Sequence, residues 1–278
     1  MKRQLGWMVA ALVLLVTWPT AASAQSSDLW PNFSMPWTSK LWTLTIGANV
    51  GGLPAFEGIK GDQLNAAPIF SLGPAGGSAE RFHGPLDSSG IALFDYEGFS
   101  AGPAINSIKS RKADSFSELN GLGDVKSAIE LGGFAQYFPT DWFRIRSEVL
   151  RGVRGETGVT ANFSADFLVP VSPRLTLSGG PRYTLESTAA TAPYFSVSQV
   201  QSVASGLPVF DAKGGSHSVG AGAQIRYQFD PKWEVHAYLE YDRLLGDAAA
   251  SPLVTLRGSP NQLSFGLGAS YSFDFRLP

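Results

Sequence analysis

The residues from 263 to 275 alternate strictly between apolar and small or polar positions. The odd positions run from Leu263 through Leu267 to Phe275 and are all apolar or aromatic. A period of two residues is typical of a β-strand with one apolar face. Because a sheet that meets water on its outer side carries polar residues there, this pattern predicts a strand with lipid against one face.

The same period returns along most of the chain. It predicts strands at 42–53, 63–72, 79–84, 90–96, 99–108, 125–138, 142–153, 158–169, 174–185, 217–229, 232–244 and 262–275. Two of these segments, 79–84 and 90–96, are short for a membrane-spanning strand of about 9–11 residues. We therefore predict about twelve strands, with ten as the alternative if the two short segments form one bent strand.

Short and long connections alternate between the predicted strands. Tight turns are expected near Asp141, Ser172 and Asp230, whereas 109–124, 186–216 and 245–261 are long. Outer-membrane barrels have short periplasmic turns and longer external loops. The chain is therefore predicted to be all-β, with a closed antiparallel transmembrane β-barrel at 42–275 and a C-terminal tail at 276–278.

The N-terminal residues have the features of an export signal. Basic residues precede an apolar run from Trp7 to Trp18, and Ala22 and Ala24 give the small-x-small pattern of a cleavage site. We predict a cleaved signal peptide at 1–24 and an N-terminal periplasmic segment at 25–41. The apolar run is shorter than the roughly 20 residues of a spanning helix, which makes a retained anchor the weaker alternative.

Composition and charge exclude several kinds of site and argue against one class of partner. The chain has no cysteine and a formal net charge of −2. Disulfides, thiolate metal sites and a lipid-modified cysteine are therefore excluded. The weak negative charge gives no basis for binding nucleic acid.

Charged residues of both signs fall on the inward phase of the predicted strands. The candidate lumen network consists of Arg144, Arg146, Glu148, Asp166, Arg182, Arg226, Glu234, His236 and Glu240. A selective pore usually lines its constriction with one sign of charge. Interleaved signs can instead form ion pairs. We favour a lumen filled by ion pairs over a selective channel.

Catalytic chemistry has little support in the sequence. His217 adjoins Ser218, but neighbours on a strand point to opposite faces and would not form a dyad. His236 lies among predicted lumen carboxylates, and His83 lies in a weakly patterned region. No histidine pair has the spacing of metal ligands. We assign no catalytic, metal-binding or cofactor-binding residue and predict that the protein is not an enzyme, with a surface hydrolase as the weakest option.

The longest predicted loop contains a candidate amphipathic helix. Val197, Val200 and Val203 share one helical face, and Ser196 with Gln199 could form a capping box at its start. The first interpretation is a lid that packs this face into the barrel mouth. The alternative is a helix that docks a partner or a ligand.

Several motifs resemble those of the MltA-interacting protein family, also called MipA/OmpV. The resemblance is strong over about residues 120–275 and weaker before them. It is carried by Pro54–Gly58, Gly121–Asp124, Tyr194–Val197, Ser205–Pro208, Tyr241–Ala248, Ser251–Pro252, Arg257–Leu263 and Tyr271–Phe273.

The resemblance implies a barrel in the outer membrane of a Gram-negative bacterium, with membrane lipid around it. It also implies a non-enzymatic scaffold that links a lytic murein transglycosylase to a bifunctional penicillin-binding protein. The alternative function is a small-solute channel gated by the 186–216 loop. The aromatic ending Tyr271, Phe273 and Phe275 is the expected assembly signal for the barrel assembly machinery, displaced from the terminus by the tail.

Overall fold

A computed structural model describes residues 41–77, 81–155 and 157–276. Its strands are β1 (Leu41–Pro54), β2 (Asp62–Pro74), β3 (Ser89–Ile91), β4 (Phe94–Tyr96), β5 (Phe99–Ile108), β6 (Ala128–Thr140), β7 (Phe143–Arg154), β8 (Val159–Pro170), β9 (Leu175–Glu186), β10 (Gly215–Gln228), β11 (Trp233–Leu244) and β12 (Asn261–Arg276). The helices are α1 (Thr188–Phe195), α2 (Gln199–Ser205), α3 (Gly246–Ala250), a 3₁₀ turn at Ser117–Leu119 and a π-helical turn at Leu253–Arg257.

The strands form one closed sheet. Neighbours pair antiparallel from β5 through β12 to β1 and β2. β3 closes the ring because it pairs with β2 on one side and with β5 on the other. The closed wall therefore has eleven strands, and β4 adds a further short pairing at the start of β5. The predicted all-β barrel is confirmed.

One pairing of the wall is parallel. Ser71 and Leu72 of β2 lie beside Gly90 and Ile91 of β3, and the two strands run in the same direction. An antiparallel barrel with both ends on one side needs an even number of strands. Eleven strands close here because β3 runs parallel to β2, and residues 81–88, which precede β3, lie inside the barrel.

The prediction of a strand at 79–84 is wrong. Residues 82–84 belong to no strand, and Phe82 is buried among Phe138 and Leu168. Residues 82–84 lack backbone partners in the wall because they run inside the barrel. The strand predicted at 90–96 is divided in the structure between β3 and β4, and it does not form one bent strand with residues 82–84.

The outer face of the wall is apolar. Leu267 is 67% exposed, and side chains of the same phase surround the barrel: Ile46, Val50, Phe70, Ile105, Leu131, Ile145, Val149, Phe163, Phe167, Leu177, Val219, Ile225, Leu239, Leu263 and Phe265. Exposed aliphatic and aromatic residues around a complete ring match the lipid-facing band of outer-membrane barrels. Among the described residues, no helix is both long and apolar enough to cross a bilayer.

Both ends of the wall lie on one side of the barrel. Leu41 at the start of β1 pairs with Arg276 at the end of β12. The tight turns near Asp141, Ser172 and Asp230 share this side, and we call it the periplasmic end. The predicted signal peptide and residues 25–40 lie outside the described residues, as do residues 277 and 278 of the predicted tail.

Candidate functional site

Residues 81–88 cross the inside of the barrel, and we call them the plug segment. On one side, Asn49 of β1 donates a hydrogen bond to the carbonyl oxygen of Pro85 at 3.2 Å. On the other side, the hydroxyl of Ser88 donates to Glu148 of β7 at 2.8 Å. Because its contacts reach opposite walls, the plug segment divides the lumen.

Arg144 is the centre of a buried ion-pair network. Its side chain is fully buried and lies 2.7 Å from Asp87 of the plug segment and 2.7 Å from Asp166 of β8. The guanidinium also lies 4.5 Å from the centre of the Phe82 ring. The plug segment is thus fixed to the wall by charge and by an aromatic contact.

The network continues around the lumen through Arg182. This side chain lies 2.7 Å from Asp166 and 3.4 Å from Glu240 of β11. Nearby, Arg146 donates from Nε to Glu148 at 2.8 Å. Charges of opposite sign on the inner face of the wall therefore neutralise one another in the interior.

A second group of polar side chains lies nearer the periplasmic end. Arg226 lies 3.6 Å from Glu234. His236 donates from Nε2 to Asn49 at 2.7 Å, and its Nδ1 lies 3.7 Å from Glu234. All nine residues of the predicted lumen network therefore point into the barrel, where the structure also brings in Asp87, Asn49 and Ser88.

The plug segment separates two cavities. The periplasmic vestibule has a volume of about 360 Å³ and is lined by residues including His83, Glu234 and Asp274. The upper chamber has a volume of about 620 Å³ and is lined by residues including Arg111, Glu186 and Asp242. The upper chamber lies between the plug segment and the long loops.

His217 and Ser218 both line the upper chamber. The expectation that neighbours on this strand face opposite sides is wrong here, because the pairing of β9 with β10 shifts register between Ser216 and Ser218. This bulge turns His217 inward as well. Its Nε2 lies 3.1 Å from Glu57 and its Nδ1 lies 3.1 Å from Glu186. Both ring nitrogens therefore face carboxylates.

The long loops fold into a layer over the mouth, which we call the cap. Its core contains buried apolar side chains from four loops: Phe56, Ile59, Leu119, Leu122, Val197, Leu207 and Leu253. Burying a side chain of this kind contributes roughly 1.5–3 kcal/mol. The cap is thus a packed structure with its own hydrophobic core.

Arg257 connects three of these loops. Its Nη1 donates to the carbonyl oxygens of Glu118 and Asn120 at 2.8 and 3.1 Å, and its Nη2 donates to that of Ser205. Gly121 lies close to the same junction with φ of 83°, and a Cβ there would lie 2.5 Å from the backbone of Ala204. Glycine is required because neither the conformation nor the space admits a side chain.

The candidate helix is present as α2, but its apolar face does not enter the barrel. Val200 is 79% exposed and Val203 is 80% exposed, while Val197 precedes the helix and is buried in the cap. The predicted burial is therefore wrong for Val200 and Val203, whereas Val197 is buried, but among the loops of the cap. The capping box is formed by Ser198 and Gln201 rather than by Ser196 and Gln199, so the helix begins two residues later.

Arg111 is a buried cation between the cap and the upper chamber. It is 6% exposed and lies 5.7 Å from the Phe56 ring centre and 5.8 Å from that of Tyr194. Its Nη1 donates to the carbonyl oxygen of Tyr194 at 2.6 Å. Burial lowers the pKa of Arg111 to about 10, which leaves the guanidinium charged at neutral pH.

The sequence pattern does not indicate Asp87, Arg111 or Glu57 as residues of the lumen. Each lies outside a regular strand, where no period indicates the direction of a side chain. The Pro54–Gly58 motif, which resembles the family's, contains Glu57 and could have indicated that this residue is part of the site. Nothing in the pattern around Asp87 indicates that this carboxylate meets Arg144, because 57 residues separate them.

A family model described as MltA-interacting protein MipA matches residues 46–273. No curated protein matches the sequence significantly. Among solved structures, an outer-membrane channel from Pseudomonas putida F1 is 9% identical, with 90% of this chain and 100% of that chain covered at a TM-score of 0.42. The translocator domain of the autotransporter NalP from Neisseria meningitidis is 12% identical, with 86% and 89% covered at 0.38. At these values neither protein's activity transfers to this chain.

Proposed function

Because this chain belongs to the MltA-interacting protein MipA family, we propose that it is an outer-membrane adaptor for murein-remodelling enzymes. Its partners would be a lytic murein transglycosylase and a bifunctional penicillin-binding protein. The barrel would hold these enzymes at the inner surface of the outer membrane. Such a role needs a stable anchor and a periplasmic surface, and it needs no open pore.

The protein lies in the outer membrane of a Gram-negative bacterium, as its family and its barrel indicate. A ring of exposed apolar side chains such as Phe163 and Leu267 meets the lipid. The periplasmic end presents charged turn residues, among them Asp141, Arg174 and Asp230. Partners in the periplasm would meet these turns and not the cap.

The plug segment that interrupts the lumen is the observation that carries the proposal. Arg144 has no exposed side-chain surface and bonds to Asp87 and Asp166 at once. Removing either partner of a buried ion pair is strongly unfavourable, so a plug segment held in this way resists displacement. The packed cap covers the other mouth. A closed barrel of this kind supports anchoring in preference to solute transport.

We also infer that the protein has no catalytic site of its own. A serine nucleophile needs a histidine nitrogen free to accept its proton. In the described part of the chain, both ring nitrogens of His217 face carboxylates at 3.1 Å. His217 is therefore committed to Glu57 and Glu186 although Ser218 adjoins it.

Bilayer recordings test the closed lumen. We expect the purified wild-type protein to give no steady conductance, because the plug segment and the cap interrupt the water path. Asp87→Ala removes the carboxylate that fixes the plug segment to Arg144. This variant should show frequent openings, whereas Val200→Ser on the outer surface of the cap should behave as wild type.

Steady conductance of the wild-type protein would favour the channel alternative. Arg257→Gln should then raise that conductance further, because Arg257 holds three cap loops together. The opposite outcome is a wild-type protein without conductance that Asp87→Ala opens and Arg257→Gln does not change. This outcome would favour the adaptor role over the channel.

Charge reversal tests which end of the barrel binds the murein enzymes. We expect Asp141→Lys combined with Arg174→Glu to reduce recovery of an MltA-type transglycosylase by purified barrel several-fold. Both residues are exposed on periplasmic turns. Exposed surface charges contribute about 0–1 kcal/mol to stability, so these changes should preserve the fold.

A matched control reverses two charges on the cap. Asp211→Lys with Lys213→Glu exchanges an exposed ion pair on the opposite end. Recovery should not change in this control. Equal recovery by both double variants would contradict binding through the periplasmic turns, and absence of recovery by the wild type would contradict the adaptor itself.

A further inference from the structure

We propose that the upper chamber binds a small zwitterionic ligand that carries both a carboxylate and an ammonium group, such as an amino acid or a short peptide. The chamber has a volume of about 620 Å³. This volume is within the range of about 300–1,000 Å³ found for small-molecule sites. The inference is independent of the adaptor role, because it concerns the interior of the barrel and not its periplasmic turns.

The positive pole of the site is Arg111. This side chain lines the chamber, is 6% exposed and forms no ion pair with a carboxylate in the described ranges. Its guanidinium donates one hydrogen bond, to Tyr194, while its Nε has no partner among the described residues. A buried charge without a counter-ion is costly. The guanidinium is therefore a ready partner for the carboxylate of a ligand.

The negative pole is the carboxylate group around His217. Glu57 and Glu186 lie 3.1 Å from the two ring nitrogens, and Asp242 lines the same chamber. One imidazole carries at most one positive charge, so it cannot neutralise three carboxylates. Glu57 is 55% exposed at its side chain, which leaves it accessible to an ammonium group.

The other arginines of the chamber are already paired. Arg146 bonds to Glu148, and Arg182 bonds to Asp166 and Glu240. They therefore offer little to a ligand. Arg111 forms no such pair among the described residues, and the carboxylates around His217 outnumber the one positive charge that the imidazole can carry.

Both poles lie beneath the same part of the cap. Arg111 contacts the rings of Phe56 and Tyr194, and the next residues along each loop, Glu57 and Phe195, contact His217. A ligand with one charge would satisfy one pole and be repelled by the other. A compact zwitterion satisfies both, which is why we choose this class.

Titration calorimetry with L-alanyl-L-alanine tests the proposal on the purified full-length barrel. The dipeptide carries both charges at neutral pH. Two analogues each remove one charge: N-acetyl-alanyl-alanine lacks the ammonium, and alanyl-alanine amide lacks the carboxylate. We expect the dipeptide to bind and each analogue to bind about tenfold more weakly or worse, since a charged hydrogen bond contributes about 1.5–3 kcal/mol.

Two variants assign the poles. Arg111→Gln should weaken dipeptide binding about tenfold. The dipeptide should then bind no more tightly than its amide, because the ligand carboxylate no longer has a cation to pair with. Glu57→Gln should abolish the advantage over the N-acetyl analogue, because Glu57 is the exposed carboxylate of the negative pole. Arg243→Gln removes an exposed arginine of β11 and should leave all three affinities unchanged.

Loss of selectivity between dipeptide and amide separates a binding role from a structural one. If Arg111 only supported the cap, its replacement would weaken all three ligands equally or not at all. Such a result would overturn the proposal. The proposal would also be contradicted if the wild-type protein does not bind the dipeptide, or if it binds the amide equally well. Neither outcome bears on the adaptor role.

Discussion

Leu267→Arg is expected to prevent most of the protein from assembling into its barrel. Leu267 lies near the middle of β12, is 67% exposed and faces lipid. An arginine on the lipid face near the bilayer midplane costs about 2–4 kcal/mol. The assembled fraction can be measured by heat-modifiable migration in gels after refolding into phospholipid vesicles.

The matched control is Val200→Arg, which makes the same kind of change at an exposed position outside the barrel wall. Val200 is 79% exposed on α2 of the cap. Its replacement should assemble as wild type does, although by exposure alone it resembles Leu267. Equal assembly of the two variants would contradict the assignment of the outer face to lipid. A similar loss is expected for Phe163→Arg on β8.

Arg144→Met is expected to lower the free energy of unfolding by about 3–5 kcal/mol, the usual cost of breaking a buried ion pair by removing one partner. Methionine retains much of the apolar stem but leaves Asp87 without the guanidinium that it contacts at 2.7 Å. Asp166 keeps its ion pair with Arg182 at 2.7 Å. The loss of Arg144 therefore affects Asp87 more strongly than Asp166. Urea unfolding in vesicles, followed by tryptophan fluorescence, measures the change.

Arg81→Met provides the comparison. Arg81 pairs with Asp141 at 2.9 Å, but both side chains are exposed, at 43% and 94%. Exposed pairs contribute about 0–1 kcal/mol, so this variant should unfold close to wild type. Equal losses for the two arginines would show that the ion pairs of the lumen do not hold the plug segment in place.

Local pattern was enough to predict the barrel wall. The period of two that runs through β8, β9 and β12 requires only the geometry of a strand, in which successive side chains face opposite sides. The same rule predicts that Arg144, Asp166 and Arg182 share the lumen. It says nothing about which of them form pairs, because that depends on the register between strands.

The sequence by itself therefore determined the fold class, the lipid-facing phase and the inward phase of the charged residues, since each follows from the local alternation of side chains. The tertiary structure alone decided the path of the plug segment, the eleven-stranded closure and the inward turn of His217. It also decided that α2 faces outward and that Arg111 adjoins the upper chamber. These features depend on contacts between residues far apart in the chain, such as Asp87 with Arg144 and Glu57 with His217. Where the backbone leaves the regular strand, no period remains to give the direction of a side chain, and only packing against the rest of the barrel fixes it.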